Sequence, residues 1–518
     1  MLSPLPSVWP HRAGGQRDFA RRFLPGSDWP FRVAPASSLD CRKFIMKALL
    51  VPALVLPLLF SPGFSNGVHA GEIAAKPNIV LFLADDVGYG DLACHGNPHA
   101  KTPHLDTFAH DAVEFTRFHV SPVCSPTRAS LMTGRYNFRT GVCDVSGKGC
   151  EMDPGEVTVA EALRAAGYAT GIFGKWHLGD VASRNPRAQG FDESLVHAGA
   201  AMRDYFDPEL MCNGKKKSLK GYCMDIFTDA AIEFVRKNRG RPFLLYLAAN
   251  LIHTPLQVPD ELAAPYLAMN LGPQTSKAYG MLQSLDSSFG RLRAMLKELS
   301  LETNTLLIFT SDNGPCSGSA PTNRFMAGLH GLKGTVYENG IRTPCFMRWP
   351  AGFNGPAKVD RLVAHIDVMP TILAACGVPY PGGVKLDGSS LLPLLRQHAA
   401  AWPDRTLFLQ WDSGQEPRRG QAFTVLTEKW KLVQPCGMDL PQQQHIRDRY
   451  TELCALQGRG RRSIEVPPRH ELYDIARDPG ETMDLAARHP EVVERMKRQY
   501  DAWFDEVCAR WLKPQAKN

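Results

Sequence analysis

Two apolar runs, each closed by acidic residues, constrain this chain most: Asn78-Ile-Val-Leu-Phe-Leu-Ala-Asp-Asp86 and Thr305-Leu-Leu-Ile-Phe-Thr-Ser-Asp-Asn313. Neither alternates apolar with polar positions, so neither suits a sheet with one face in water. A run of strand length that is apolar throughout must be covered on both faces. Between them lie a helical pattern at Thr158–Ala166 and strand-like segments at Ala169–Phe173 and Arg241–Ala249. Alternating strands and helices predict an α/β domain with a central, mainly parallel sheet flanked by helices. Ligands of such sheets bind beyond the carboxyl ends of the strands, where Asp85-Asp86 and Asp312-Asn313 fall.

At 518 residues the chain exceeds one core of ordinary size. Ile366–Cys376 reads as a short helix closing the large domain, after which Pro and Gly become dense through Gly377–Gly388. The boundary is expected near residue 395, giving a catalytic domain over 71–395 and a smaller subdomain over 396–518. In the latter, Leu407–Trp411, Ala422–Thr427 and Trp430–Val433 read as short strands with a turn at Glu428-Lys429, and Pro490–Leu512 reads as an amphipathic helix. A small antiparallel sheet carrying a helix is the expectation.

Ala48–Phe60 is an apolar run after Met46-Lys47 and before the small-x-small ending Val68-His69-Ala70, which reads as a signal peptide over 46–70. It is too short and too Pro-rich, with Pro52 and Pro57, for a stable membrane span. Residues 1–45 then read as a non-native N-terminal extension, with translation starting at Met46. Residues 1–70 hold eight basic and three acidic residues, which is five of the net +7, so little basic excess remains for nucleic acid. No Asn-x-Ser/Thr acceptor occurs, which favours a bacterial periplasmic or extracellular protein over a eukaryotic secreted one. Among the 13 cysteines, Cys143/Cys150 and Cys212/Cys223 are spaced closely enough for local disulfides, though spacing alone does not establish pairing.

The chemistry begins with hard oxygen donors. Asp85, Asp86, Asp312 and Asn313 suit a divalent cation, Ca²⁺ or Mg²⁺, and the lack of a Cys/His ligand cluster speaks against Zn²⁺.

Cys124-Ser125-Pro126-Thr127-Arg128, continuing Ala-Ser-Leu-Met-Thr-Gly-Arg135, resembles the C-x-P-x-R and S-L-L-T-G-R signature of the sulfatases, with Met132 where Leu is usual. Gly174-Lys175-Trp176-His177-Leu178-Gly179 resembles that family's G-K-W-H-L-G element, and Glu471–Glu481 with Asp484-Leu-Ala resembles its carboxy-terminal segment. The resemblance implies an alkaline-phosphatase-like fold and an arylsulfatase-like enzyme that releases sulfate from an aryl or carbohydrate sulfate ester. It implies oxidation of Cys124 to formylglycine by a formylglycine-generating enzyme, because a hydrated aldehyde offers two hydroxyls on one carbon. One attacks sulfur and the other later loses its proton, reforming the aldehyde and ejecting sulfate. On the same basis Asp85, Asp86, Asp312 and Asn313 become the metal ligands, joined by residue 124. Arg128 would hold the hydrate, Lys175 would contact sulfate, and His177 would act as base. His253 and Lys333 would serve the departing oxygen, and His330 is a further candidate for the pocket lining. Asn339 and Ile341 depart from the commoner Gly and Val without touching a proposed role.

Two rivals remain. A phosphatase or phosphodiesterase of the alkaline-phosphatase superfamily would carry a Ser or Thr nucleophile and two metals with several His ligands. A catalytically dead homologue that only binds sulfated glycans would not need this full polar set. Lys215-Lys216-Lys217 reads as a solvated basic loop ahead of a polysaccharide contact.

Overall fold

The computed structural model describes residues 76–512 except 146, 317–322, 397–401, 412–413, 415 and 436–468. The extension and signal-peptide assignments, 1–45 and 46–70, lie outside the described residues.

Strand β1 (Asn78–Ala84) is buried along its whole length. Its side chains alternate between two cores: Val80, Phe82 and Ala84 face one, Ile79, Leu81 and Leu83 the other. The first core is closed by the helices Pro103–Asp111, Cys223–Asn238 and Pro273–Glu298, the second by Cys124–Thr133, Val159–Ala165 and Val368–Ala375. The double-sided run in the sequence is thus a strand between two helical layers.

The other strands of the large sheet are β2 (Val113–Phe115), β4 (Ala169–Lys175), β5 (Glu193–His197), β6 (Glu209–Cys212), β7 (Lys215–Ser218), β8 (Phe243–Ala248), β9 (Thr305–Ser311), β10 (Cys345–Arg348) and β11 (Ala357–Val359). Among the described residues they form ten strands ordered β11-β2-β10-β9-β1-β8-β4-β5-β6-β7. The centre, β9-β1-β8-β4-β5, is parallel throughout, and antiparallel pairing begins outside it at β10 and β6. Two short strands, β3 (Phe118–His119) and β12 (Val363–Ala364), pair separately.

The C-terminal sheet runs β13 (Leu407–Gln410), β14 (Phe423–Leu426), β15 (Trp430–Gln434), β16 (Glu471–Asp474), all antiparallel. The helix Pro490–Val507 covers it with Val492, Met496, Tyr500, Trp503 and Phe504, and Tyr500 stacks on Phe423 at 3.7 Å between ring centroids. A short helix, Ala509–Leu512, follows Cys508. No helix among the described residues is long and apolar enough to cross a membrane.

Two expectations are corrected. Neither local disulfide forms, since Cys150, Cys212 and Cys223 are free thiols. The Cys143 thiol donates to the Gly414 carbonyl and the Cys150 thiol to Gly147, while the Cys223 thiol meets Asn250 and Cys212 ends β6. Lys215–Lys217 is strand rather than loop: it pairs with β6 as the exposed edge of the large sheet, where charge discourages further strand addition.

Candidate active site

Strands β1 and β9 lie in parallel register, Ala84 opposite Ser311, so the residues that follow each strand emerge side by side. Asp85, Asp86, Asp312 and Asn313 are all fully buried there. The Asp86 amide donates to Asp312 Oδ1 at 3.2 Å, and Asn313 Nδ2 donates to Asp86 Oδ1 at 2.7 Å. Asp86 holds a left-handed backbone, φ 65°, which costs a non-glycine residue about 1–2 kcal/mol and is sustained by these bonds.

Three cations answer the acids. Lys175 closes β4 and donates to Asp85 Oδ2 at 2.7 Å. The preceding Gly174 is obligatory: its φ is 116° and a Cβ would sit 1.8 Å from the Ala248 carbonyl oxygen. Arg128, fully buried one turn into the helix Cys124–Thr133, donates Nε and Nη2 to Asp312 Oδ2 at 3.0 and 2.7 Å and Nη1 to the Lys175 carbonyl at 2.8 Å. Lys333 donates to Asp86 Oδ1 at 2.5 Å. Burial alone would raise the Asp85 carboxyl, but Lys175, His253 and Arg128 hold it well below the usual range. Asp312, buried beside the Asp85 charge, is instead pushed up to about 6.

Cys124 is the first residue of its helix and 2% exposed, so its side chain stands at the positive end of the helix dipole. His177 Nε2 donates to the Val145 carbonyl at 2.8 Å, which leaves Nδ1 with its lone pair 3.4 Å from Cys124 Sγ. Burial and the Lys175 charge hold this imidazole well below its ordinary value, hence neutral and able to take a proton. His177 also has positive φ, 59°. His253 donates Nδ1 to the Thr254 carbonyl at 2.7 Å and is pushed down to about 4 by burial and by Lys333.

Asp85 Oδ1, Asp86 Oδ2 and Asn313 Oδ1 are buried without a hydrogen-bond partner. Buried acceptors are normally satisfied, so three orphaned oxygens on these neighbouring residues fit a hard divalent cation. Ligand atoms of Asp85, Asp86 and His253 lie within 4.8 Å of one another, which brings His253 to the edge of the same site. Both Asp312 oxygens already accept protein hydrogens, so Asp312 would share its lone pairs with any ion.

The structure thus brings Asp85, Asp86, Cys124, Arg128, Lys175, His177, His253, Asp312, Asn313 and Lys333 together. The ring of His330 lies tilted against Tyr337, with centroids 4.0 Å apart, and feels the charges of Glu471 and Lys431. His197, which sequence reading passed over because no motif surrounds it, ends β5 beside Lys175.

A neutral imidazole beside a side chain on a helix N-terminus, inside a ring of buried cations and hard oxygens, suits a hydrolase of esterified oxyanions on an alkaline-phosphatase-like sheet. The chain belongs to the sulfatase family: the sulfatase family model matches residues 77–378, and the C-terminal model of N-sulphoglucosamine sulphohydrolase matches 328–441. It is 33% identical to arylsulfatase A of Homo sapiens, over 82% of this chain and 87% of that protein. To N-acetylgalactosamine-6-sulfatase of Homo sapiens it is 29% identical, over 83% and 86%. Among solved structures, Ps i-CgsB in complex with k-i-k-neocarrahexaose superposes with a TM-score of 0.71 at 27% identity, covering 83% of this chain and 92% of that one. The protein is a sulfuric ester hydrolase.

Proposed function

We propose that this enzyme releases inorganic sulfate from an aryl or carbohydrate sulfate ester, using residue 124 as nucleophile after conversion of Cys124 to formylglycine by a formylglycine-generating enzyme. The observation that carries the reading is the placement of neutral His177 Nδ1 3.4 Å from the residue 124 side chain, within the Arg128, Lys175 and Lys333 ring. Nδ1 can take a proton from a hydroxyl on residue 124, and its Nε2 bond to Val145 fixes the ring for that task.

Lys175 and Lys333 supply charge to sulfonyl oxygens, and the Lys333 ammonium and neutral His253 stand where a departing alkoxide needs compensation. Arg128 locks Asp312 and residue 124's helix into one unit. Asp85, Asp86, Asp312 and Asn313, with residue 124, would hold one divalent cation, Ca²⁺ ahead of Mg²⁺. Bound there, the ion supplies Lewis-acid stabilisation of oxygen charge. The large sheet and its loops, 71–395, would form the catalytic domain and 396–518 the C-terminal subdomain. The apolar run in 46–70 supports export, to the bacterial periplasm or outside the cell.

The test is the mass of the tryptic peptide spanning Val123–Arg128 from protein expressed with the modifying enzyme, read alongside sulfate release. Aldehyde in place of thiol, tracking with activity, is the expected result. Full activity from protein whose Cys124 remains a thiol would overturn it.

A further inference from the structure

His197 is buried, 3% exposed, at the carboxyl end of β5. Its register partner on the neighbouring parallel strand is Lys175, so the two side chains leave the same face of the sheet one strand apart. The imidazole feels Lys175, Asp85 and Arg128, and burial with the Lys175 charge pushes it down to about 3, so it is neutral. Its Nδ1 lies 3.2 Å from the Ala198 carbonyl, which can only accept, so Nδ1 carries the hydrogen. Nε2 is then a bare acceptor, and it is buried with no hydrogen-bond partner. The backbone around it is tied to the His177 loop by the Gly199 amide, which donates to Asp180 Oδ2 at 2.9 Å.

An acceptor cannot serve the sulfate itself, whose oxygens also only accept. It calls for an O–H or N–H, and neutral buried imidazoles that lack one are rare enough to need an explanation. We infer that His197 is a specificity-determining residue whose Nε2 accepts a hydrogen bond from a hydroxyl or amide N–H of the substrate, next to the carbon bearing the sulfate. This deepens the sulfatase reading and rests on it: it selects sulfated sugars over esters that carry no neighbouring donor. Because leaving a built polar group unmatched penalises the wrong substrate, the selectivity belongs to the pocket rather than to the sulfonyl chemistry.

The experiment compares ratios within each protein, so that general losses from substitution cancel. Two substrate pairs are used: a hexose sulfate with its neighbouring hydroxyl free or O-methylated, and an N-acetylhexosamine sulfate against the analogue lacking the acetamido group. Nitrophenyl sulfate measures the underlying activity. Wild type should prefer the donor-bearing member of one pair by about tenfold or more in kcat/KM, the worth of one hydrogen bond to a buried partner. Which pair responds says whether the donor is hydroxyl or amide. His197→Ala should bring that ratio near one, chiefly through KM, and His197→Gln, which keeps an acceptor, should restore part of it. A wild-type ratio near one, or a ratio unchanged in His197→Ala despite a general loss of rate, overturns the assignment. If wild type with residue 124 modified hydrolyses none of the esters, nitrophenyl sulfate included, the sulfatase reading itself fails and the His197 assignment falls with it.

Discussion

Among the described residues, the buried charges of the active site and those at the junction with the C-terminal sheet differ in how their acids are satisfied. At the active site, Asp85, Asp86 and Asp312 face Arg128, Lys175 and Lys333, yet oxygens of Asp85, Asp86 and Asn313 remain without partners. At the junction with the C-terminal sheet, Lys431 on β15 lies between Glu338 at 2.9 Å and Glu481 at 2.8 Å. His119 and Arg342 approach Glu338 from its other sides, and Glu481 Oε2 accepts the Glu338 amide at 2.7 Å. There the excess of acid is met by a proton: burial and the Glu338 charge push Glu481 up to about 8, while Lys431 and His119 hold Glu338 well below its ordinary range. Glu481 Oε1 and Arg342 Nε also lack an aligned hydrogen bond there, but Glu481 Oε1 lies 2.8 Å from the Lys431 ammonium, so the junction closes on its own charges. A cluster built for chemistry leaves lone pairs for something else.

The largest expected effect sharpens the first half of that contrast. Cys124→Ala should abolish turnover while the melting temperature stays near wild type, since residue 124 gives the fold little beyond its packing. Measurable turnover at matched purity would remove residue 124 from the chemistry. Lys333→Met should cost about 10²–10³ in kcat, the usual loss when one preorganised charge is removed from a transition state. Rate assays on the folded variant decide it.

Removing divalent ions with a chelator should next lower both activity and melting temperature, and Ca²⁺ should restore both. Ligand at 100 times its Kd stabilises by about 2.7 kcal/mol, so calorimetry reads the site without any substrate. If neither Ca²⁺ nor Mg²⁺ shifts the melting temperature, the orphaned oxygens hold no ion and the contrast between the clusters collapses. At the junction the order of effects should reverse. Lys431→Met removes the ammonium shared by buried Glu338 and Glu481, a loss of about 3–5 kcal/mol in stability, while the folded variant keeps most of its turnover. A rate loss larger than the stability loss would tie the junction to catalysis.

How legible these features were in the sequence follows the same division. β1 and β9 were readable because a strand buried on both faces needs an unbroken apolar run, and the helix at Val159–Ala165 from its helical pattern, which the structure starts with a capping box between Thr158 and Glu161. The polar site was readable because Asp85-Asp86, Cys124–Arg128 and Lys175–His177 are local motifs with fixed spacing. Lys215–Ser218 was misread because a charged edge strand has the composition of a loop. His197 has no motif: only the register of β5 against β4 brings it beside Lys175. The Lys431 cluster joins residues from four distant segments, and nothing local marks Lys431 as buried rather than as an ordinary surface lysine on a short strand.

The smallest effect tests how the junction balances its charge. Glu481 carries its proton up to about 8 in the folded protein, against an ordinary value of 4.5. Between those values the folded state binds a proton that the unfolded state has released, so this group's contribution to stability is full below about 4.5 and is lost as pH rises through about 8. Glu481→Gln removes the titration while keeping the shape and an acceptor for the Glu338 amide. The variant should therefore lose less stability than wild type as pH is raised through that window, with the two melting curves drawing together or crossing toward the alkaline side. Melting temperatures measured at a series of pH values give the difference directly. A difference that stays constant with pH would mean that Glu481 is ionised throughout, and that Lys431 alone balances both carboxylates.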